Sequence, residues 1–322
     1  MKPKVIIRTS AEKKIDKIVE ESFKKFKIPK NSNYIIKPNL GFKTDTKGGT
    51  TNVELIKSVL KLLANNYKPK NIFLVESDGI AFSCEEVFRF LGLDKICLEY
   101  NTEFINLSKQ KTKKIKNKKC RLFKKFDVPE IFTKKNILIN LPKIKTHEIA
   151  GFCCCIKNLF GLHPDIFRFK YHSVISDVLY DMSLLFKPHL NLVDGIWAIN
   201  QHGPWSGVPV NLDVIISGNN LLATDLECLK IIGWNIDSAP YLKTIREREG
   251  DVNYQVFGKI KYNKKFKWET ISTIGHMKEV IADKLFIPMI KLGFPLLYYS
   301  QGSFKLVTYG KKGKYCKSIH RW

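Results

Sequence analysis

The sequence predicts an α/β fold: a sheet with helices on its faces, an open Rossmann-like architecture, followed by a small C-terminal appendage. Three observations predict it. Short β-branched runs alternate with stretches of helical periodicity through the first half of the chain. The 322 residues are 44% hydrophobic, enough to bury a full core. No uninterrupted apolar run reaches the roughly 20 residues that a membrane helix needs.

Taken in order, "VIIRTS" reads as a strand, and Ile15, Ile18, Val19, Phe23 and Phe26 then recur at helical spacing. "YIIKPN" is a second strand, and the helix after it carries Val53, Ile56, Val59, Leu60 and Leu63 on one face. "NIFLVES" is a third strand. A helix from about Ser83, the segment "TEFINLS" and the strand "NILINLP" continue the alternation. Helices are expected over "IAGFCCCIKNLFG" and "HSVISDVLYDMSLLF", strands over "LNLVDG" and "VNLDVIISG", and a last helix over "LLATDLECLKIIG". The pattern loosens from about Arg248. This divides the chain into an α/β domain, 1–248, and an appended region, 249–322. Within the latter, residues 280–299 are apolar but broken by Asp283, Lys284, Lys291 and two prolines, which reads as a packed or interfacial segment and not a span.

The net charge of +25 raises nucleic acid as a partner. The basic residues, however, are 48 lysines and only 7 arginines, and arginine is what bidentate phosphate and base recognition prefers. Nucleic acid is therefore not the favoured partner. Ten of the seventeen residues from Lys109 to Lys125 are Lys or Arg, which reads as an exposed, solvated basic hairpin. The eight cysteines form no secreted framework, and a reducing cytoplasm is the expected compartment.

Two stretches carry candidate chemistry. "KPNLGFKTDTKGGTTNVE" opens a strand end into a Gly, Lys and Thr loop that leads into a helix. Thr51 and Glu54 have capping-box spacing. Backbone N–H groups of Gly48, Gly49, Thr50 and Thr51, with Lys43 and Lys47 nearby, suit a phosphate or carboxylate. The second stretch is "INLPKIKTHEIAGFCCCIKNLFGLHP". Its strand ends at Pro142, which puts Lys143, Lys145 and His147 at the sheet's carboxyl edge, where open α/β folds bind ligands. His147 has an intrinsic pKa suited to proton transfer. Cysteines adjacent on a helix point about 100° apart, so Cys153, Cys154 and Cys155 are expected to be small apolar side chains, with no metal site. His172 at a helix start reads equally as cap or anion contact, Asp194 before Gly195 as turn or ligand contact, and Asp225 as dipole partner or site residue.

With "IKPNL", "TTNVELIKSVL", "LINLPKIKTHEIAGFCCCIKNLFGL", "YHSVISDV" and the block from "KPHLNLVDGIWAI" to "LLATDLECLKIIG", the chain resembles the DUF362 family over about residues 4–237. The resemblance marks Lys37, Asn39, Lys143, Lys145, His147, Lys157, Asn158, His172, Asp194 and Asp225 as matched polar positions. It implies a cytoplasmic α/β ligand-binding fold without supplying a reaction. After "VDGIWAI" the family carries an acidic residue and a glycine before "GP", whereas this chain has Asn200, Gln201 and His202. Many relatives also carry a ferredoxin-like module that is not visible here. The expectation is an anionic small molecule held by Lys37, Lys143, Lys145, His147 and Lys157, with Asp194 or Asp225 assisting as acid, base or metal ligand. The other classes are a nucleic-acid binder and a redox or metal-dependent protein working with a separate ferredoxin partner. No cofactor is named by the residues.

Overall fold

The computed structural model describes residues 2–79, 82–204, 207–260 and 266–267, and three strands at 296–300, 303–309 and 315–318. Its centre is a mixed ten-stranded sheet, counted among the described residues. In chain order the strands are β1 (Lys4–Thr9), β2 (Asn33–Pro38), β3 (Asn71–Glu76), β4 (Thr102–Asn106), β5 (Thr112–Lys116), β6 (Lys125–Pro129), β7 (Ile137–Leu141), β8 (Lys143–His147), β9 (Gly151–Cys153), β10 (Leu190–Asn200), β11 (Val208–Gly218) and β12 (Gln255–Phe257). The helices are α1 (Ile15–Lys25), α2 (Val53–Asn66), α3 (Cys84–Phe90), α4 (Leu93–Glu99), the one-turn α5 (Cys155–Asn158), α6 (Ile175–Leu185), α7 (Leu221–Ile231) and α8 (Pro240–Glu249).

The sheet order is β12-β1-β11-β10-β7-β2-β3-β4, with β8 and β9 attached through β10. From β10 through β7, β2 and β3 to β4 all pairs are parallel, while β10 with β11 and β11 with β1 are antiparallel. The fold is therefore the expected open α/β sheet with an antiparallel flank. Strand alternation sends Tyr34, Ile36, Ile137 and Ile139 to one face, where α1, α2, α3 and α4 cover them. Ile35 and Leu138 go to the other face, against α5, α6, α7 and α8.

After β2 the chain moves to β3 and β4 on one side and then returns to β7 on the other. That reversal makes a switch point between β2 and β7, and the carboxyl ends there lie side by side, Lys37 opposite Asn140 and Pro38 opposite Leu141.

Two local readings change. Residues 149–161 are not one helix: β8 and β9 form a small antiparallel ribbon, and helix begins only at Cys155. Gly151 at φ 73° allows the turn that helical periodicity could not reveal. Thr51 does not cap α2, because Asn52 does so by accepting from the amides of Glu54 and Leu55. Beyond Arg248, β12 adds to the main sheet beside β1, and β13 (Leu296–Ser300), β14 (Ser303–Tyr309) and β15 (Tyr315–Ser318) form a three-stranded antiparallel sheet. The apolar segment 280–295 lies outside the described residues. No helix among the described residues is long and apolar enough to cross a membrane.

The Lys109–Lys125 stretch contains β5 and the start of its antiparallel partner β6. Three amides of the connecting loop, those of Arg121, Leu122 and Phe123, converge on the buried Asp181 carboxylate at 2.7–2.8 Å. Beside them is a cavity of about 620 Å³ lined by Lys118, Lys119, Arg121, Lys124 and Arg248, with Tyr180 and Glu247. Such a surface is expected to attract polyanions without reading bases. Duplex DNA is expected to bind in the roughly 10⁻⁴ to 10⁻⁶ M range at physiological salt, with a steep salt slope. Fluorescence anisotropy over a salt series measures this, and nanomolar affinity for one defined sequence would contradict it.

Candidate functional site

The two candidate stretches meet at the switch point. Lys145 reaches from β8 to donate to Asn39 Oδ1 at 2.7 Å and to the Gly49 carbonyl at 2.5 Å. Thr51 donates to the Leu141 carbonyl and accepts from the Asn39 amide, both at 2.7 Å. A run of buried or half-buried asparagine side chains joins the elements beneath: Asn39 to Asn158, Asn158 to Asn140 and Asn140 to Asn191, at 2.8–3.1 Å. Asn158 also donates to the Lys37 carbonyl at 3.1 Å. These amides satisfy one another, so the carboxyl edge is held without apolar contacts at that point.

The expected lysines divide into two kinds. Lys37 is buried and paired with Glu76 at 2.7 Å, while donating to the Pro38 carbonyl at 2.6 Å. Lys143 is buried and paired with Asp194 at 2.9 Å. Burial lowers the pKa of both ammonium groups, and the carboxylates oppose that shift. Lys145 and Lys157 have no carboxylate partner among the described residues. Burial lowers Lys145 to about 7, with Cys153, Lys143, Asp194 and Lys157 all close enough to act on its charge. Lys157 lies over the Phe160 ring, 4.7 Å from its centroid, and burial lowers it as well.

His147 is buried, and its Nδ1 accepts from the amides of Ile149 and Ala150 at 3.1 and 3.3 Å. That assigns the ring proton to Nε2. Burial, then Lys157, His172 and Lys145, hold its pKa well below the usual histidine value, so the imidazole is a neutral donor. His172 stacks on it with centroids 5.7 Å apart. It belongs to a 3-10 turn, Arg168–Val174, and does not cap α6; its Nδ1 bonds the Phe169 carbonyl at 2.8 Å, and burial lowers it to about 3. Cys153, Lys157 and His172 keep partial solvent exposure, and Lys145 and His147 lie behind them.

Other expected residues have different surroundings. In the Gly-rich loop the amides of Gly49, Thr51 and Asn52 already bond Thr46, Asn39 and Asp194, and Asn52 occupies the start of α2. Gly48, at φ 87°, packs on the carbonyls of Trp197 and Ala198. Lys47 is exposed over the Trp197 ring at 4.7 Å, and Thr50 is half-buried. Asp194 lies within β10, not in a turn, and accepts from the amides of Asn52 and Ile196 besides Lys143. Asp225, in the second turn of α7, accepts from the amides of Cys155 and Ile156 at 2.7 and 3.1 Å, so it closes the start of α5. His163 is buried against Phe123 and Phe126.

Glu76, Asn140, Asn191 and Arg168 were not singled out from the sequence. The available signal was a polar residue inside an apolar strand: Glu76 ends "NIFLVE", and Asn140 and Asn191 interrupt "ILINL" and "LNLV". Gly161 has a defined role too. A Cβ there would stand 2.7 Å from Glu76 Oε1 and 2.8 Å from Lys37 Nζ. Gly161→Ala is expected to cost about 1–3 kcal/mol through overpacking, read as a lower denaturant midpoint.

The family model described as Domain of unknown function (DUF362) matches residues 35–230. A curated relative, the Thylakoid-associated protein sll1697 of Synechocystis sp., is 27% identical over 104 residues, which are 30% of this chain and 32% of that protein. The alignment therefore spans about a third of the length of each. The family match runs from within β2 to the end of α7, taking in the switch point, both buried ion pairs and the unpaired lysines, and covers well over half of the 322 residues: the chain belongs to the DUF362 family.

Proposed function

We propose that this protein binds an anionic small molecule, bearing phosphate or carboxylate, against Lys145, Lys157 and the His147–His172 pair. The observation that carries this reading is the contrast between lysines. Lys37 and Lys143 have carboxylate partners, while Lys145 and Lys157 lie close to each other, the hydrogen bonds of Lys145 go to neutral acceptors and Lys157 lies over an aromatic face. Holding two such ammonium groups out of water is costly unless an anion joins them. His147, neutral and with its ring proton on Nε2, borders the same ammonium groups. An amine poised at about 7 can also take or return a proton, and this is the form an enzymatic role would take, with Lys145 as the acid or base. The free thiols of the described cysteines favour a reducing compartment, and we propose the cytoplasm.

Native mass spectrometry of gently purified protein, followed by calorimetric titration with the retained anion or with pyrophosphate, tests the reading. Lys145→Met is expected to weaken binding by about 1.5–3 kcal/mol, the scale of a charged hydrogen bond. The pH dependence has a definite sign. An anion selects protonated Lys145, so affinity is highest below about pH 7 and falls as pH rises beyond it. Stability runs the other way: the depressed Lys145 pKa makes the unfolded chain bind more protons between about 7 and 10.5, so this group's contribution improves across that window. Lys145→Met should flatten both profiles. Unchanged affinity in that variant would refute the site.

A further inference from the structure

Behind the lysine and histidine cluster, the fold gathers thiols in a way the helical reading excluded. Cys154 precedes α5 with an extended backbone, φ −157° and ψ −134°, so its side chain is not offset from that of Cys155 by a helical step. The two sulfurs stand 3.9 Å apart. Sγ of Cys154, Sγ of Cys155 and a carboxylate oxygen of Asp225 all lie within 4.8 Å of one another, and all three residues are buried. Cys228 follows Asp225 by three residues on the same face of α7, is buried, and lies close enough to Cys154 to act on its ionisation. Two thiols from the start of α5 therefore face the Asp225 carboxylate, with Cys228 the next group along the same side of α7.

We propose that Cys154, Cys155, Cys228 and Asp225 form a tetrahedral site for a thiophilic divalent cation of the zinc class. Zinc–sulfur bonds of about 2.3 Å at tetrahedral angles put sulfurs about 3.8 Å apart, close to the separation already present. Buried cysteines by themselves need no metal, since a free thiol packs as a small apolar group. Two neighbours are left unexplained by packing alone. Asp225 is fully buried, and no lysine, arginine or histidine pairs with it among the described residues. Tyr241 is fully buried too, and its hydroxyl has no hydrogen-bond partner among the described residues, although it feels the charges of Asp225, Cys153, Cys154 and Cys155. An orphaned buried hydroxyl beside a buried carboxylate lacking a cation is the environment a bound cation would complete.

Coordination replaces each ligating thiol's proton, which leaves to solvent, and no electron is transferred. The cation balances part of the negative charge so created. The amides of Cys155 and Ile156 already stabilise the carboxylate, and the Tyr241 hydroxyl borders the charges of the cluster, in the outer position that tunes such centres. Burial on every side implies that the cation enters during folding and acts structurally, pinning α5 and hence Lys157 and Asn158 against α7.

The test uses the full chain, purified under reducing conditions and refolded with zinc or with cobalt(II). Elemental analysis is expected to give one ion per chain, and the cobalt form should show thiolate-to-cobalt charge-transfer absorption with the d–d bands of a tetrahedral centre. Cys154→Ser and Cys228→Ser should lose most of that absorption, while Cys97→Ser, a buried cysteine outside the cluster, should retain all of it. Tyr241→Phe should keep the stoichiometry and shift the cobalt spectrum. Folded wild-type protein that takes up neither ion overturns the proposal. So does an unchanged cobalt spectrum in the Cys154 and Cys228 variants. Because none of these readouts depends on an anion, failure here is distinct from failure of the lysine site.

Discussion

Asp194→Ala should destabilise the fold by about 3–5 kcal/mol, the cost of stranding one member of a buried ion pair. The ammonium of Lys143 is only 2% exposed and has this carboxylate as its counter-charge at 2.9 Å. Truncation would also orphan the amides of Asn52 and Ile196, which donate to Asp194 at 2.6 and 3.1 Å. One of these amides begins α2 and the other lies in β10, so the loss is shared between the loop over the site and the strand beneath it. Denaturant unfolding at constant slope measures the effect. In Lys143→Met/Asp194→Ala the stranded charge is gone, and the double variant should be less destabilised than the two single losses sum to. A single-variant loss under about 1 kcal/mol would show that water reaches Lys143 and that the pair is not the closed element the geometry describes.

Glu76→Ala is the second large effect, again about 3–5 kcal/mol. Glu76 Oε2 holds Lys37 at 2.7 Å and the Leu40 amide at 3.0 Å, and Oε1 accepts from the Ser77 amide at 3.0 Å. Glu76→Gln keeps the shape and removes the charge, so it should fall between Ala and wild type. The two carboxylates make a useful contrast with Lys145. Their loss should appear in unfolding curves, whereas loss of Lys145 should appear in ligand titrations. If Glu76→Ala abolished anion binding in a fully folded protein while leaving stability untouched, Lys37 would have to be assigned to the ligand and not to the fold.

The alternating strands and helices were legible because each strand buries both faces or alternates cleanly, as in "YIIKP" and "NIFLVE". The shared carboxyl edge followed from that alternation, and Lys145 meeting Asn39 and Gly49 agrees with it. Which lysines are neutralised was not legible. Glu76 lies thirty-nine residues from Lys37, and Asp194 fifty-one from Lys143, and no local pattern encodes such pairings. The ribbon of β8 and β9 was hidden for another reason. Three apolar cysteines between Phe152 and Ile156 fit helical and extended chain equally well, and the left-handed turn at Gly151 decides the matter. At the end of the Gly-rich loop the Asn52 amide bonds the distant Asp194, another pairing that no local pattern encodes.

The pairing of β1 also sets an order of events during synthesis. Val5 faces Gly218 and Lys4 faces Gln255, so β1 meets these sheet partners only after more than two hundred further residues have emerged. The parallel strands from β2 to β7 can associate while β1 waits with its edge unpaired. Contacts of such sequence separation slow folding, and a waiting edge strand is open to pairing with other chains. Ribosome-stalled chains ending before β11 should therefore remain sensitive to protease around residues 4–9, and protection there should arrive abruptly once residue 218 has cleared the exit tunnel.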